Sequence, residues 1–333
     1  MRLLLILIIA AAALWSGYWV IGSRGVESDV LAWFDERQKA GWIAENSGIN
    51  TAGFPNRFDT TITELELADP ASGLAWSAPF FQLLRLSYQP NHVIAVWPRE
   101  FAVSTPQKRV AVTNDRARAS LVFKPGTRFE LDRTTVIFEQ VHLQSSTGWT
   151  AEMDEGRFAT RPSDATDGAI DVAFQAKGLR PANDGLRRLA DTGYVPGLVQ
   201  NLKIDATLKF DAPWDLTAVE TSRPAITAID LNLLQITWGK LELWAAGELT
   251  VDGAGRATGE VTVKAKNWRE LYQIAVASGW IPQRIAGALK SALNLLAGLS
   301  GSPKTLDAPL TIADGEVSFG PISIGTIPPV KLR

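Results

Sequence analysis

The strongest hydrophobic pattern in the chain is continuous rather than periodic: from Leu3 to Gly22 no residue carries a charge. At about 1.5 Å of rise per helical residue, that run reaches about 30 Å, the thickness of a bilayer core. Val26 to Ala40 then reads as an amphipathic helix, because Val26, Val30, Trp33 and Phe34 recur at three- and four-residue steps before Gly41. From Ile49 the period changes to two. Thr61, Thr63, Leu65 and Leu67 alternate with Ile62, Glu64 and Glu66, and Ala119, Leu121 and Phe123 alternate with Arg118 and Ser120. Ile170, Val172, Phe174 and Ala176 share one face of a strand. The cleanest run is LKIDATLKFD, with Leu202, Ile204, Ala206, Leu208 and Phe210 inward and Lys203, Asp205, Thr207, Lys209 and Asp211 outward. Turn chemistry punctuates these runs at Asp69-Pro70, Lys124-Pro125-Gly126, Thr166-Asp167-Gly168 and Asp252-Gly253. The template predicts about 14 to 16 strands.

Helical spacing returns in two places. A short helix is expected around Asp184 to Thr192. Later, Asn267 caps WRELYQIAVAS, which stops at Gly279, and Pro282 opens a second helix to Ser300. In that second helix Ile285, Leu289, Leu293, Leu296 and Leu299 form one apolar stripe, and Arg284 and Lys290 are its only charges. Two strands close the chain on either side of Gly320-Pro321. The predicted fold is mainly β with minor α: an N-terminal transmembrane helix, an extended antiparallel β assembly and a small C-terminal helical pair. The corresponding segments are an anchor at 1–24, an amphipathic helix at 25–48, and a β-rich domain at 49–333 with helices near 267–299.

One strand breaks the inside–outside rule. On strand 241–251 the odd positions Leu241, Leu243, Ala245, Leu249 and Val251 are apolar, yet Trp244 sits among the even, polar ones. Ile236 and Trp238 upstream have the same parity as Trp244. A sheet with apolar residues on both faces needs cover on both. The helix at 282–299 supplies that cover in one reading. In the other, Ile236, Trp238, Trp244, Ile285, Leu289, Leu293 and Leu296 border a surface for an apolar ligand.

The N-terminal run has two readings of its own. Ala11 and Ala13 satisfy an A-x-A cleavage rule, which would make the segment a signal peptide. Against this, Leu14, Trp15, Tyr18, Trp19, Val20 and Ile21 prolong the apolar stretch past that point, and the clustered aromatics resemble an interfacial belt. An uncleaved anchor spanning with residues 3–22 is the simpler reading. The α-amine and Arg2 favour a cytoplasmic N-terminus, while Arg24 flanks the far side.

Charge and chemistry narrow the function further. The chain carries 33 Lys+Arg against 35 Asp+Glu, and no run of like charge offers a footprint for nucleic acid. With no cysteine, disulfides, zinc–thiolate sites and thiol nucleophiles are excluded. The two histidines, His92 and His142, lie fifty residues apart in predicted strands without a supporting motif, and read as ordinary strand residues. Asp164, Asp167 and Asp171 lack the spacing and terminal Glu of a calcium loop. No nucleophile–base pair, phosphate-binding glycine loop or metal set can be assembled, so neither catalysis nor a cofactor is expected.

The segments GINTAGFPNRFDTTITELELADP, W-x-A-P-F, YQPNHVIAVWP, GELTVDGAGRATGEVTV-x-x-x-NW and DGEVSFGPISIG together resemble a family of proteobacterial envelope proteins, domain of unknown function 2125. The resemblance covers nearly the whole chain from about Gly17, and its motifs, such as Gly53-Phe54-Pro55 and Pro90-Asn91-His92, have the character of turns and strand edges. It implies a single-pass protein of the inner membrane of a Gram-negative bacterium, with its bulk in the periplasm. The strand-after-strand layout is also similar to the long β-groove lipid-transport proteins of that envelope, a fold-level analogy. Two functions follow as expectations: a module binding lipids or other apolar ligands in a β-lined groove, or a structural or protein-interaction component of the envelope with no small ligand.

If the apolar run is an uncleaved anchor, the full-length protein stays in the membrane pellet through an alkaline carbonate wash. Protease added to spheroplasts then digests its bulk. Release into the soluble fraction with Leu14 as the new N-terminus identifies a signal peptide instead.

Overall fold

The charge-free run is the first half of one continuous helix of 38 residues, α1 (Arg2–Lys39). The structure, a computed structural model, describes residues 1–126, 129–180, 197–215, 218, 223–277, 281–299 and 304–331, with the main chain alone at 274, 277 and 299. The helix expected over 184–192 lies outside the described residues. The amphipathic segment expected at 25–48 is the second half of α1, which ends at Lys39; Gly41, at φ +87°, turns the chain into strand β1 (Ile43–Glu45). Only glycine adopts that backbone without strain.

The protein is mostly antiparallel sheet, with eighteen strands among the described residues. The excess over the expected number comes from short strands such as β1, too brief for alternation to register, and from a turn at Asp314–Gly315 that divides the first of the two expected closing strands. By contact the chain divides into two compact units, one of residues 1–125 and 136–150, the other of 126–135 and 151–333.

In the first unit, β1 and β2 (Gly48–Ala52) both pair along β3 (Arg57–Asp69), which forms a long hairpin with β4 (Leu74–Leu86). The far edge of β4 has two partners. Its second half pairs with β5 (Gln89–Val96) and its first half with β6 (Glu100–Thr105). Further out, β5 pairs with β8 (Arg116–Phe123), and β6 with β7 (Lys108–Thr113), which meets the end of β9 (Leu131–Ser145). The fork has a local cause. Pro79, which has no N–H for a ladder, stands opposite Glu64, whose φ of +49° is left-handed. There the buried positions of β3 pass from the even Phe58, Thr60 and Ile62 to the odd Leu65.

Helix α1 lies along this hairpin and is tied to it for more than half its length. Trp15 Nε1 donates to the Pro55 carbonyl at 2.7 Å, Tyr18 Oη to Ser87 at 2.8 Å and Trp19 Nε1 to Arg57 at 2.8 Å. Gly22 lets the Phe58 ring approach so closely that a Cβ there would lie 2.6 Å from its Cζ. Farther along, the Glu27 carboxylate accepts the Thr51 N–H at 2.6 Å. Val30 and Phe34 close over Ala44, Ile62 and Leu65, and Phe34 is only 3% exposed.

The second unit is a meander of nine strands, each antiparallel to the next: β10 (Thr150–Pro162), β11 (Ala169–Leu179), β12 (Val199–Phe210), β13 (Ile226–Trp238), β14 (Leu241–Val251), β15 (Ala257–Lys266), β16 (Thr305–Ala313), β17 (Glu316–Phe319) and β18 (Ile322–Thr326). Helices α2 (Trp268–Ala277) and α3 (Gln283–Leu299) lie in the connection between β15 and β16. The Asn267 side chain, expected as a helix cap, donates instead to the Lys240 carbonyl at 2.6 Å, with Asn267 itself at φ +56°.

The Phe34 contact carries a prediction. Phe34→Ala should destabilise the full chain in detergent by about 3–5 kcal/mol, because the removed ring leaves a void under the helix. Exposed Leu31, one turn earlier and outside the buried stripe, should tolerate alanine within about 0.5 kcal/mol. Urea titration followed by tryptophan fluorescence checks the contrast.

Candidate functional site

Directly paired residues of an antiparallel ladder point to the same side, so register decides which side chains share a face. In the second unit the register carries one apolar face across seven strands. Phe158 of β10 pairs with Phe174 of β11, Phe174 with Ile204 of β12, and Ile204 with Leu234 of β13. The row continues through Ala245 of β14 and Val263 of β15 to Ala308 of β16. Parallel rows run beside it, such as Ala176, Leu202, Ile236, Leu243, Ala265 and Leu306.

The sequence of β13 would break this face without a device to preserve it. In AIDLNLLQITW the apolar positions are odd at Ile229 and Leu231 but even at Leu234, Ile236 and Trp238. A β-bulge resolves the conflict. The register slips by one residue at Asn232–Leu233, against both β12 and β14, and every one of those apolar residues stays on one side.

The opposite face is polar and laced across the strands. Asp171 accepts from Arg161 at 3.3 Å and from Thr207 at 2.9 Å, each its directly paired neighbour. Burial by itself would raise the Asp171 carboxyl; hydrogen bonds from Ser163, Thr207 and Arg161 outweigh it and hold the group below the usual range. Lys177–Glu155 and Lys266–Glu242 ion pairs join the same kind of neighbours at 2.7 and 3.0 Å.

One end of the apolar face is covered. Trp268 of α2, 1% exposed, packs with Leu289, Leu293 and Ala297 of α3 on Ala265, Leu306 and Ala308. Next to it Trp238, Leu241 and Val199 form a second cluster with Leu179, Ile236 and Leu271. Between the helices and β15–β18 remains a cavity of about 300 Å³, lined by Trp268, Leu289, Leu293, Val263, Leu310 and Phe319 among others. Tyr272 borders it too, but its hydroxyl is already donated to the Ala286 carbonyl at 2.7 Å. Farther along the face the long side chains of Phe174, Ile204, Leu208, Leu231, Leu234 and Leu243 are only half-buried. A larger cavity in the first unit, about 760 Å³, has a mixed lining in which Glu45, Glu64, Glu66, Glu100 and Arg109 stand among Leu65, Phe101 and Val112.

Of the residues singled out in the sequence, Ile236 and Trp238 lie on the apolar face, Leu289 and Leu293 line the cavity, and Leu296 packs on its cluster. Ile285 is half-buried on α3. Trp244 is not with them. The turn at Gly239–Lys240 is two residues long, so Trp238 pairs with Leu241 and Ile236 with Leu243, whereas Trp244 pairs with Gln235. Parity therefore reverses across the hairpin, and Trp244 stands on the polar face beneath the Lys266 ammonium, 5.2 Å from its ring centre. The Leu299 side chain lies outside the described residues. His92 is bonded across strands to Ser120 at 2.9 Å, and no group of three or more His, Asp or Glu among the described residues is placed to hold a metal ion. What sequence reasoning missed is the face on β11–β13: each strand's alternation was visible, but the bulge that joins them was not.

Fold and site define a class: a β-sheet protein with one apolar N-terminal helix, long enough to cross a membrane, and an apolar sheet face capped at one end by two helices. The chain belongs to the family described as an uncharacterized protein conserved in bacteria, domain of unknown function 2125, whose model matches residues 19–328. No curated protein and no solved structure matches it.

The two tryptophans separate the faces experimentally. Trp244→Asp should cost about 1 kcal/mol, the loss of a cation–π contact on the polar face. Trp238→Asp should cost more than about 4 kcal/mol, because an unpaired carboxylate enters a buried apolar cluster. Thermal unfolding of the two variants beside the wild type reads the difference.

Proposed function

We propose that this protein is held by α1 in the inner membrane of a Gram-negative envelope, with its β units in the periplasm, and that the apolar face of β10–β16 binds lipid acyl chains without transforming them. The observation that supports the reading is the half-buried state of that face. Large apolar side chains line up from strand to strand through Phe174, Ile204 and Leu234, with Leu243 in the neighbouring row, and are incompletely covered, which is the surface an extended hydrocarbon chain needs. Each methylene taken from water contributes about 0.8 kcal/mol, so about eight of them supply roughly 6 kcal/mol against the cost of ordering the chain. The capped end beside α2 and α3 supplies the deeper space, with a volume at the lower limit of small-molecule pockets.

The N-terminal reading draws on the same helix. Leu14 and Ile21 are 77% and 75% exposed although α1 is docked from Trp15 onward, so removal of the first thirteen residues would still leave apolar surface in water. A membrane answers that exposure.

A photoreactive amino acid placed at Ile204 or Leu231, on the apolar face, should form adducts with radiolabelled phospholipid in intact cells. The same probe at the exposed Lys203 or Asp230, on the polar face, should not. Protein adducts at Ile204 and Leu231, with no lipid, would favour the envelope-interaction role instead.

A further inference from the structure

We infer that the tips of two β hairpins in the first unit, residues 53–57 and Ser87–Tyr88, are seated in the headgroup and upper acyl region of the same phospholipid bilayer that α1 crosses. The inference rests on the proposed membrane anchorage of α1, and adds to it a second, β-borne contact with the lipid.

Length is the first argument. Every residue from Met1 to Trp15 is exposed, and hydrogen bonds from α1 to the β strands begin at Trp15. The free segment Leu3 to Leu14 is twelve residues, and at about 1.5 Å each it covers about 18 Å, well short of a bilayer core of about 30 Å. The missing span is available only from Trp15 to Gly22, the remainder of the charge-free run. That portion of α1 carries the hairpin tips on its side, so a helix seated to its full apolar length takes the tips into the membrane boundary with it.

The tips are chemically fit for a water-poor region. A backbone carbonyl entering hydrocarbon needs a donor, since water is absent there. Pro55, Arg57 and Ser87 receive theirs from Trp15, Trp19 and Tyr18 of the helix. Gly53 and Asn56 accept backbone N–H groups of Arg57 and Ser87 at 2.9 Å. What the tips present outward is aromatic: Phe54 is 56% exposed, edge-on to Trp19, and Tyr88 is 60% exposed. Aromatic side chains with a polar end favour the interface between headgroups and acyl chains. Arg57, half-exposed and paired with Asp59 at 2.9 Å, has a stem long enough to keep its charge at headgroup level.

Because the chain has no cysteine, single cysteines can be placed at will in the full-length protein. Asn56→Cys and Tyr88→Cys report the tips, Ile8→Cys the centre of the apolar helix, and Leu74→Cys the exposed far end of the β3–β4 hairpin. Each is labelled with an environment-sensitive fluorophore and reconstituted into phosphatidylethanolamine–phosphatidylglycerol vesicles containing a lipid spin-labelled near the top of its acyl chain. The expected result is a blue shift and loss of most emission at positions 56 and 88, with Leu74→Cys unchanged. Quenching at position 8 without quenching at 56 and 88 overturns the seating of the tips and leaves the anchor intact. Absence of quenching at position 8, by deeper spin labels as well, overturns both.

Discussion

The constraint on which the second unit depends is the strict side-chain period of the antiparallel ladder. Each strand sends every other residue to one side, so the seven strands β10 to β16 yield one apolar face only if each register joins apolar to apolar. From Phe158 on β10 to Ala308 on β16 the pairing does so. Where the sequence changes parity, in β13, a single inserted residue at Asn232–Leu233 restores the match against both neighbours. The bulge is therefore what makes the face continuous. The polar face gains from the same registers, because Arg161, Asp171 and Thr207, or Lys266 and Glu242, stand opposite one another and can bond.

In the first unit the comparable role falls to α1. Its first turns are apolar on all sides, as a lipid-facing helix is, while its later turns bury one stripe, Val30 and Phe34, against Ala44, Ile62 and Leu65. Between these two stretches the helix changes the way it binds. Trp15, Tyr18 and Trp19 use the polar ends of their rings to reach backbone carbonyls on the hairpin tips, and their apolar bodies remain partly outside. A cluster that reads in the sequence as an interfacial belt thus also joins helix to sheet. The two roles are compatible, since one hydrogen bond per ring engages only its edge.

Much of the architecture could be read from the chain alone, because it rests on local periodicity. The charge-free run, the period-2 segments and the stripe of Leu289, Leu293 and Leu296 are properties of neighbouring residues, and the structure contains the helix, the strands and the packed stripe. Long alternating runs such as LKIDATLKFD specify their own inner face, and the register places Leu202, Ile204, Ala206 and Leu208 together. The family, too, was legible in the turn and strand-edge motifs.

Tertiary structure decided whatever depends on a partner distant in sequence. Trp244 has the parity of Trp238, yet a two-residue turn sends them to opposite faces, and parity cannot be carried through a hairpin without knowing its pairs. The fork in the first sheet needs Glu64 and Pro79 to stand opposite each other, fifteen residues apart in sequence. The docking of α1 needs a glycine at position 22 to meet the ring of Phe58. Composition and period are summed along the chain, whereas faces, cavities and docking are set by which residues the backbone ladders bring side by side, and that information lies in the pairs alone.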